Sequence, residues 1–382
     1  MTRRETPVRG LVLAGGGARG SYQVGVWQAL QEMGWEPGVI AGTSVGCLNG
    51  AMFALGLTDV ARDMWLTINS HDVMALPGDR AADPSGVMLR QFVEQGGLDV
   101  TPLEGIVQRV LDEDALRASP VRFGLVTVEL RGLKPRQLTL EEIPQGQLAQ
   151  YLLASAACFP AFRPRQIDGV EFIDGGYNDN MPIALAARMG AEELVAVDVD
   201  GVGITRKNRS GLPTTLIRSF WELGSILQFE PETARRNIAL GYLDAYRAFG
   251  RLRGVAYGIR TEDPERAFAA PYAEVLSPVL RRWPTLALTE GLALNRLGPE
   301  ADRALAPLEL AALTAGVDPA RAYTLEELEQ AFVDAWDPAP ARRLWPLFEG
   351  KAGAEGALAS LQPAEFVSAA VYRGIQGPEF PD

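Results

Sequence analysis

Three short segments in the first half of the chain contain residues whose types and spacing could support catalysis. They are "GGGARG" at 15–20, "GTSVG" at 42–46 and "DGG" at 174–176. The first offers backbone amides with few side chains, the second places a serine between glycines, and the third places a carboxylate before two glycines. Attack of a hydroxyl on an acyl carbon needs these groups, namely a nucleophile, a proton acceptor and donors for the developing negative charge.

The glycine-rich turn has two readings, because Gly15, Gly17 and Gly20 also match the G-x-G-x-x-G pattern of dinucleotide sites. Successive amides at the start of a helix can hold a pyrophosphate or a tetrahedral oxyanion. A dinucleotide site also needs an acid about 20 residues further on, at the end of the second strand. That strand ends in "VIAG" at 39–42 and carries no acid. The pattern favours an oxyanion site, with a dinucleotide-binding oxidoreductase as the alternative.

Ser44 lies in a G-x-S-x-G sequence between an apolar strand-like segment and the helix-forming segment "CLNGAMFAL". A sharp turn from strand to helix exposes the hydroxyl of such a serine, and the flanking glycines remove Cβ atoms that would clash. The helix N-terminus also favours negative charge at this point. Ser44 is therefore predicted to be a nucleophile, and the alternative is a plain helix N-cap.

The base that would activate Ser44 has to be identified among few candidates. His71 is the single histidine of the chain and is predicted to be a surface or capping residue. No S-x-x-K pattern follows Ser44, so a carboxylate is the remaining candidate. Asp174 is the best placed, because it ends the apolar strand "VEFID" and precedes two glycines that permit close backbone approach. The competing acids are Asp168, Asp179, Asp198 and Asp200.

The elements that must position these residues alternate between strand and helix. Residues 8–14, 39–41, 121–130 and 192–201 are predicted to be buried strands, and 19–33 a helix that ends at Gly34. This order is typical of an α/β fold with a mostly parallel central sheet. The dipeptide Asp168–Gly169 predicts a hairpin between two short strands.

The remainder of the chain has a different character. Residues 206–260 are predicted to be a helical extension of the core, and they are locally basic, with ten Lys and Arg against four Asp and Glu. Residues 261–382 are predicted to form a largely helical C-terminal region of unknown role. Within it, Thr324 and Glu327 predict a capping box at the start of a helix.

Composition limits the classes of function. The net charge of −12 argues against sequence-independent binding of nucleic acid, which requires clustered cations. Two cysteines are too few for a disulfide framework. The apolar run at 11–14 is too short for a signal peptide, and no stretch reaches the length of a membrane span. We therefore expect a cytoplasmic protein without a transmembrane segment, which could still contact membranes peripherally.

The ordered trio "GGGARG", "GTSVG" and "DGG" resembles the patatin-like phospholipase family, and "ASAACFPAFRP" and "DNMPI" add to the resemblance. The likeness covers roughly residues 8–200, about half of the chain. It implies a three-layer α/β/α patatin-like fold with a catalytic core at 8–205. It also implies acyl hydrolysis of lipids through a serine–aspartate dyad, with no metal and no cofactor.

The resemblance also implies roles for individual residues. Ser44 would be the nucleophile and Asp174 the base, and the amides around Gly15, Gly16 and Gly17 would form the oxyanion hole. Arg19 matches the basic residue of the family's first loop, where it would order that loop or contact a phosphate head group. The expected reaction passes through an acyl-enzyme that water hydrolyses.

Three other functions stay open at this point. A small-ester or thioester hydrolase could use the same dyad, a catalytically idle binding protein could retain the fold, and the oxidoreductase is the third. The amphipathic segment "LIRSFWELGSILQF" at 216–229, with Arg235 and Arg236, is hypothesised to meet a lipid interface near the site. The alternative for this segment is a helix that covers the sheet.

Overall fold

The computed structural model describes residues 7–75, 97–260, 270–299, 301–350 and 359–380. The chain divides into two compact units, Met1–Ala248 and Phe249–Asp382. All three motifs singled out from the sequence lie in the first unit.

The first unit is built around an eight-stranded mixed sheet. Its strands are β1 Arg9–Leu13, β2 Val39–Thr43, β3 Arg122–Glu129, β4 Lys134–Thr139, β5 Arg165–Ile167, β6 Val170–Asp174, β7 Glu193–Asp198 and β8 Thr214–Arg218. Five strands run parallel in the order β3, β2, β1, β7 and β8. The antiparallel pairs are β3 with β4, β3 with β6, and β5 with β6.

Helices connect and cover these strands. They are α1 Ser21–Glu32, α2 Val45–Ala54, α3 Thr58–Trp65, α4 Ser70–Val73, α5 Thr101–Val110, α6 Glu113–Ala118, α7 Leu148–Ser155, α8 Ile183–Arg188 and α9 Pro231–Ala248. Every residue of β2 is buried, as are the last four of β1, so both faces of the sheet centre are covered. Burial on both faces explains why these strands read as continuous apolar runs, and it gives the predicted three-layer α/β/α arrangement.

The ends of β2 and β6 meet on one edge of β3, and this brings the motifs "GTSVG" and "DGG" together. Residues 124–126 of β3 pair with both β2 and β4, while 127–129 pair with both β6 and β4. Since a strand has only two edges, β2 and β6 must share the edge opposite β4. Thr43 is opposite Val126 and Asp174 is opposite Thr127. The residue after Thr43 therefore leaves the sheet beside the carboxylate.

The predicted fold class is confirmed, and the predicted strands and hairpin are present. The hairpin has Ile167 opposite Val170, with Asp168 and Gly169 as its two-residue turn. The segment 206–260 differs from the helical prediction, because "TTLIR" forms β8, which extends the central sheet. The chain also divides at 248/249 rather than at 260/261. The strand is only five residues long, and its β-branched residues Thr214, Thr215 and Ile217 favour it locally within a segment whose average composition is typical of helices.

The second unit is largely helical in its described residues. Its helices are α10 Ala270–Arg282, α11 Leu286–Leu294, α12 Ala306–Ala315, α13 Leu325–Ala335, α14 Trp345–Phe348 and α15 Pro363–Gln376, and its two strands are β9 Gly258–Arg260 and β10 Ala322–Thr324. The two strands pair in parallel. The capping box of Thr324 and Glu327 at the start of α13 is present as predicted.

Candidate active site

Ser44 lies at the sharp turn between β2 and α2. Its backbone has φ 54° and ψ −130°, a conformation that non-glycine residues rarely adopt and that often marks functional turns. The turn is tight because Gly42 and Gly46 touch each other, and a Cβ on Gly42 would lie 2.4 Å from the Gly46 carbonyl carbon. Both glycines of the G-x-S-x-G sequence are thus required by packing, as the nucleophile reading predicts.

Ser155, the last residue of α7, stabilises this turn through hydrogen bonds. Its hydroxyl accepts a hydrogen bond from the Ser44 backbone N–H at 2.9 Å and donates one to the Val126 carbonyl oxygen at 2.6 Å. Ser155 is fully buried, so these bonds do not compete with water. The sequence reading included Ser155 only as part of "ASAACFPAFRP", since its partners lie 111 and 29 residues away.

Asp174 ends β6 and is 6% exposed. One carboxylate oxygen accepts a hydrogen bond from the Gly176 backbone N–H at 2.7 Å. Burial raises the pKa of Asp174 to about 6, although hydrogen bonds from the Ser44 side chain and the Gly176 amide lower it in part. A carboxylate with a pKa near neutrality is a better proton acceptor than an ordinary aspartate. The structure therefore brings the two predicted catalytic side chains together.

The glycine turn presents fewer amides than we expected. The Gly15 N–H donates to the Asn180 carbonyl oxygen at 3.1 Å, so it is already used. The Asn180 side-chain amide donates back to the Gly15 carbonyl oxygen at 3.1 Å, which fixes the position of Gly15. Within the described residues, no acceptor is recorded for the N–H groups of Gly16 and Gly17. The oxyanion prediction is corrected at Gly15, whose role is to anchor the turn.

Gly17 could not be replaced by another residue without moving the turn. It has φ +56°, and an added Cβ would lie 2.0 Å from the Ile226 carbonyl oxygen. Buried amide side chains also fix the position of the glycine turn. Gln23 donates to the Ala14 carbonyl oxygen at 2.7 Å, and Asn49 of α2 donates to the Gln23 side-chain oxygen at 2.9 Å. This chain of bonds couples the glycine turn to α2, the helix that Ser44 precedes.

Arg19 orders loops and does not line the pocket. Its guanidinium donates to the backbone carbonyl oxygens of Gly224, at 2.7 Å, and of Asp200. It also lies 3.7 Å from the Asp200 carboxylate. These contacts support the loop-ordering reading of Arg19, since they occupy the groups that would bind a phosphate.

A single cavity contains Ser44, Asp174 and the three glycines of the turn. Most of its wall is apolar and comes from α2, α3, α5 and the loop before α9. The apolar lining includes Leu48, Met52, Leu55, Trp65, Ile68, Leu103, Ile106, Val107, Phe162, Ile226 and Phe229. The cavity therefore has a largely apolar wall that extends to Ser44 and Asp174.

The other candidates lie elsewhere or take other roles. His71 is the second residue of α4, is exposed and does not line this cavity. Asp168 is an exposed turn residue, Asp200 pairs with arginines, and Asp198 accepts from the Asp200 N–H. Burial also raises the pKa of Asp179 to about 6, but Asp179 is not part of the cavity wall.

Two further features bear on the predicted chemistry. Among the described residues, no group of three or more His, Cys, Asp and Glu could hold a metal ion. Likewise, none of the helices in the described ranges has the length and apolarity needed to cross a membrane. At the end of β2, where a dinucleotide site would place a ribose-binding acid, the chain has the turn at Ser44.

Comparison with known proteins finds a family model that matches a large part of this unit. Residues 11–187 match the family model of patatin-like phospholipases, which confirms the resemblance carried by the three motifs. An uncharacterized NTE family protein of Mycobacterium tuberculosis is 28% identical over 196 residues, covering 51% of this chain and 50% of the relative. The chain thus spans about half the length of this curated relative.

Two relatives have names that state an activity. Lysophospholipase nte1 of Aspergillus terreus is 30% identical over 200 residues, covering 50% of this chain and 12% of the relative. Patatin-like phospholipase domain-containing protein 7 of Rattus norvegicus is 27% identical over 198 residues, covering 50% of this chain and 13% of the relative.

Among solved structures, the crystal structure of VipD from Legionella pneumophila aligns with a TM-score of 0.41 at 14% identity, over 96% of this chain and 88% of that one.

Proposed function

Because residues 11–187 match the family model of patatin-like phospholipases, we propose that the protein is a lipid acyl hydrolase that cleaves carboxylic esters with Ser44 and Asp174. One observation carries this proposal. A strained serine at a strand–helix turn and a buried aspartate with a raised pKa share a cavity whose wall is apolar. An ester with a hydrocarbon chain fits both the chemistry and the lining.

The reaction begins when the Asp174 carboxylate accepts the proton of the Ser44 hydroxyl while its oxygen attacks the ester carbonyl carbon. The carbonyl oxygen becomes an oxyanion, and the N–H groups of Gly16 and Gly17 are the donors available for it. The C–O bond to the alcohol then breaks, and Asp174 returns the proton to the leaving oxygen. An acyl ester on Ser44 remains.

The second half of the reaction repeats these steps with water. Asp174 accepts a proton from a water molecule, which attacks the acyl carbon, and the same amides stabilise the second oxyanion. Collapse breaks the bond to Ser44, whose oxygen takes back the proton, and the fatty acid leaves. Because a carboxylate is a weaker base than imidazole, much of the barrier lowering has to come from the amides and the positioned hydroxyl.

The apolar wall argues for a substrate with a long acyl chain. Burial of apolar surface stabilises a bound chain by about 0.8 kcal/mol per methylene group. A small ester or thioester would leave most of the wall without a partner, although the same dyad could cleave it. The relatives named as a lysophospholipase and a phospholipase-domain protein support a phospholipid or lysophospholipid as the substrate class.

The test is hydrolysis of a series of p-nitrophenyl esters from acetate to palmitate, together with a lysophospholipid, by wild type and Ser44→Ala. We expect kcat/KM to rise with chain length until the cavity is filled, and we expect no turnover by Ser44→Ala. A fall in kcat/KM from acetate onward would favour the small-ester alternative. Undiminished hydrolysis by folded Ser44→Ala would refute the proposal.

A further inference from the structure

The loop after β7 combines exposed apolar side chains with cations, close to the catalytic aspartate. We propose that loop 202–209, "VGITRKNR", docks the protein onto an anionic lipid surface beside the active site. This inference rests on the proposed function, since it supplies the route by which a membrane lipid reaches Ser44. It is argued from the anchoring, exposure and charge of the loop.

The backbone of the loop is fixed against the catalytic segment. The Ile204 N–H donates to the Gly176 carbonyl oxygen at 2.8 Å, and the Asn180 N–H donates to the Ile204 carbonyl oxygen at 2.8 Å. A Cβ on Gly203 would lie 2.8 Å from the same Gly176 oxygen. The loop is therefore joined to the residues that directly follow Asp174, so its position is fixed relative to the site.

The loop nevertheless holds two large apolar side chains in water. Val202 is 80% exposed and Ile204 is 55% exposed, although the backbone here is anchored by hydrogen bonds. Val202 also lines the cavity that contains Ser44 and Asp174, so one of these two exposed side chains is part of the cavity wall. A fixed backbone that presents apolar side chains beside a binding site is typical of an interaction surface.

Cations accompany these apolar side chains. Residues 202–218 contain four Lys and Arg and no Asp or Glu, in a chain whose net charge is −12. Arg206 donates to the Asn178 carbonyl oxygen and Arg218 lies 3.5 Å from Asp200. For Lys207 and Arg209, no ion pair is recorded with any residue that the structure describes. Local positive charge on an acidic protein orients it, because anionic lipid attracts this face and repels the others.

A second loop at the same edge of the sheet has a similar composition. The turn that follows β3 presents Leu133, which is 59% exposed, between Arg131 and Lys134. Since β3 and β7 lie in one run of parallel strands, both turns leave the sheet at the carboxyl edge, where Ser44 also lies. Apolar side chains flanked by cations at one edge fit the head-group and acyl layers of a bilayer.

The surface hypothesised from the sequence, at 216–229 with Arg235 and Arg236, is placed differently by the structure. Ile226 and Phe229 line the cavity wall, and α9 packs against α1. Arg236 donates to the Glu222 carbonyl oxygen and lies over the Trp221 ring. These residues pack onto the body of the first unit, so the proposed docking surface is the loop that precedes β8 and not this segment.

The experiment measures binding to sedimented vesicles of phosphatidylcholine, with and without phosphatidylglycerol. All proteins carry Ser44→Ala so that the lipids stay intact. Against this parent we compare Arg209→Glu, Lys207→Glu/Arg209→Glu and Ile204→Ser. The matched control is Arg122→Glu, which makes the same charge change on an exposed arginine at the start of β3, the opposite edge of the sheet.

We expect the parent to bind anionic vesicles and Arg209→Glu to weaken binding at least about fivefold, with a larger loss in the double variant. Ile204→Ser should weaken binding also at high salt, where charge attraction is screened. Arg122→Glu should bind like the parent. Equal losses for Arg209→Glu and Arg122→Glu, or no effect of Ile204→Ser, would overturn the proposal, as would a parent that binds heparin as tightly as vesicles.

A separate measurement distinguishes this proposal from the proposed function. With Ser44 restored, Lys207→Glu/Arg209→Glu should hydrolyse a soluble short-chain p-nitrophenyl ester like wild type and lose activity only on anionic vesicles. Vesicle binding without any esterase activity would contradict the function alone. Full esterase activity with unchanged vesicle binding in the loop variants would contradict the docking surface alone.

Discussion

Asp174 in the first unit and Glu309 in the second are both buried carboxylates, and their surroundings differ. Glu309 of α12 is fully buried, and one of its oxygens accepts from the backbone N–H groups of Val255, Ala256 and Tyr257 at 2.8, 2.8 and 3.0 Å. Asp174 is buried to a similar degree but accepts a single backbone N–H, from Gly176, among the described residues. The Ser44 hydroxyl, which has a proton to give, also hydrogen-bonds to Asp174.

The difference separates a carboxylate that stabilises structure from one that can do chemistry. Three amides aimed at one oxygen stabilise its charge, so Glu309 acts as a clamp on the loop before β9. Asp174 is under-solvated, which raises the affinity of its carboxylate for a proton and lowers the stability of the folded chain. Burial alone therefore does not separate these two carboxylates, whereas the number of fixed backbone donors does.

Replacing Asp174 with asparagine is the strongest test of this comparison. The amide side chain could still accept from Gly176 but could not take a proton from Ser44, so we expect kcat for ester hydrolysis to fall at least about 10³-fold. Removal of a poorly solvated charge should leave the free energy of unfolding at pH 8 unchanged or raise it by about 1–3 kcal/mol. Urea unfolding and steady-state kinetics of Asp174→Asn on one preparation measure both quantities. Activity within tenfold of wild type would refute the catalytic role.

The same chemical change at Glu309 should have the opposite result. Glu309→Gln removes the charge from three charge-assisted hydrogen bonds, and we expect a loss of about 2–3 kcal/mol in the unfolding of the second unit. Proteins that remain folded should keep the inflection near pH 6 in their activity, because Asp174 is unaltered. A stability equal to that of wild type would show that the three amides do not depend on the charge of Glu309.

The comparison also shows what the sequence could predict. The turn at Ser44 was predictable because Gly42, Ser44 and Gly46 are near neighbours whose types suffice to define it. The hairpin at Asp168–Gly169 was predictable for the same reason. The position of Asp174 at the end of a buried strand was also predictable from the residues next to it. Local rules sufficed wherever the partners lie within a few residues of each other.

Other parts of the site depend on contacts between distant segments. The proximity of Ser44 and Asp174 follows from the edge of β3 that β2 and β6 share, which no local pattern encodes. The support from Ser155 and the use of the Gly15 amide by Asn180 are likewise long-range. The sequence reading could therefore select the residue types of the oxyanion turn but could not determine which amides stay available.

The pH dependence of activity gives a smaller but more specific test of Asp174. With its pKa at about 6, the carboxylate should lose its proton as the pH rises through that value. We expect kcat/KM for a soluble ester to rise about tenfold per pH unit below pH 6 and to level off above it. An inflection near pH ~4, where an ordinary aspartate titrates, would show that the carboxylate is well solvated in the working enzyme.

Stability should change with pH in the opposite direction. Between pH 3.8 and about 6 the folded chain keeps a proton on Asp174 that the unfolded chain releases, so the free energy of unfolding falls as the pH rises through this range. The fall amounts to about 3 kcal/mol for a shift of this size, and it should be absent from Asp174→Asn. The difference between the urea unfolding curves of the two proteins, measured at several pH values, isolates this contribution. If activity and the Asp174-dependent loss of stability appear over the same pH range, a single ionisation accounts for both, which a structural clamp such as Glu309 would not produce.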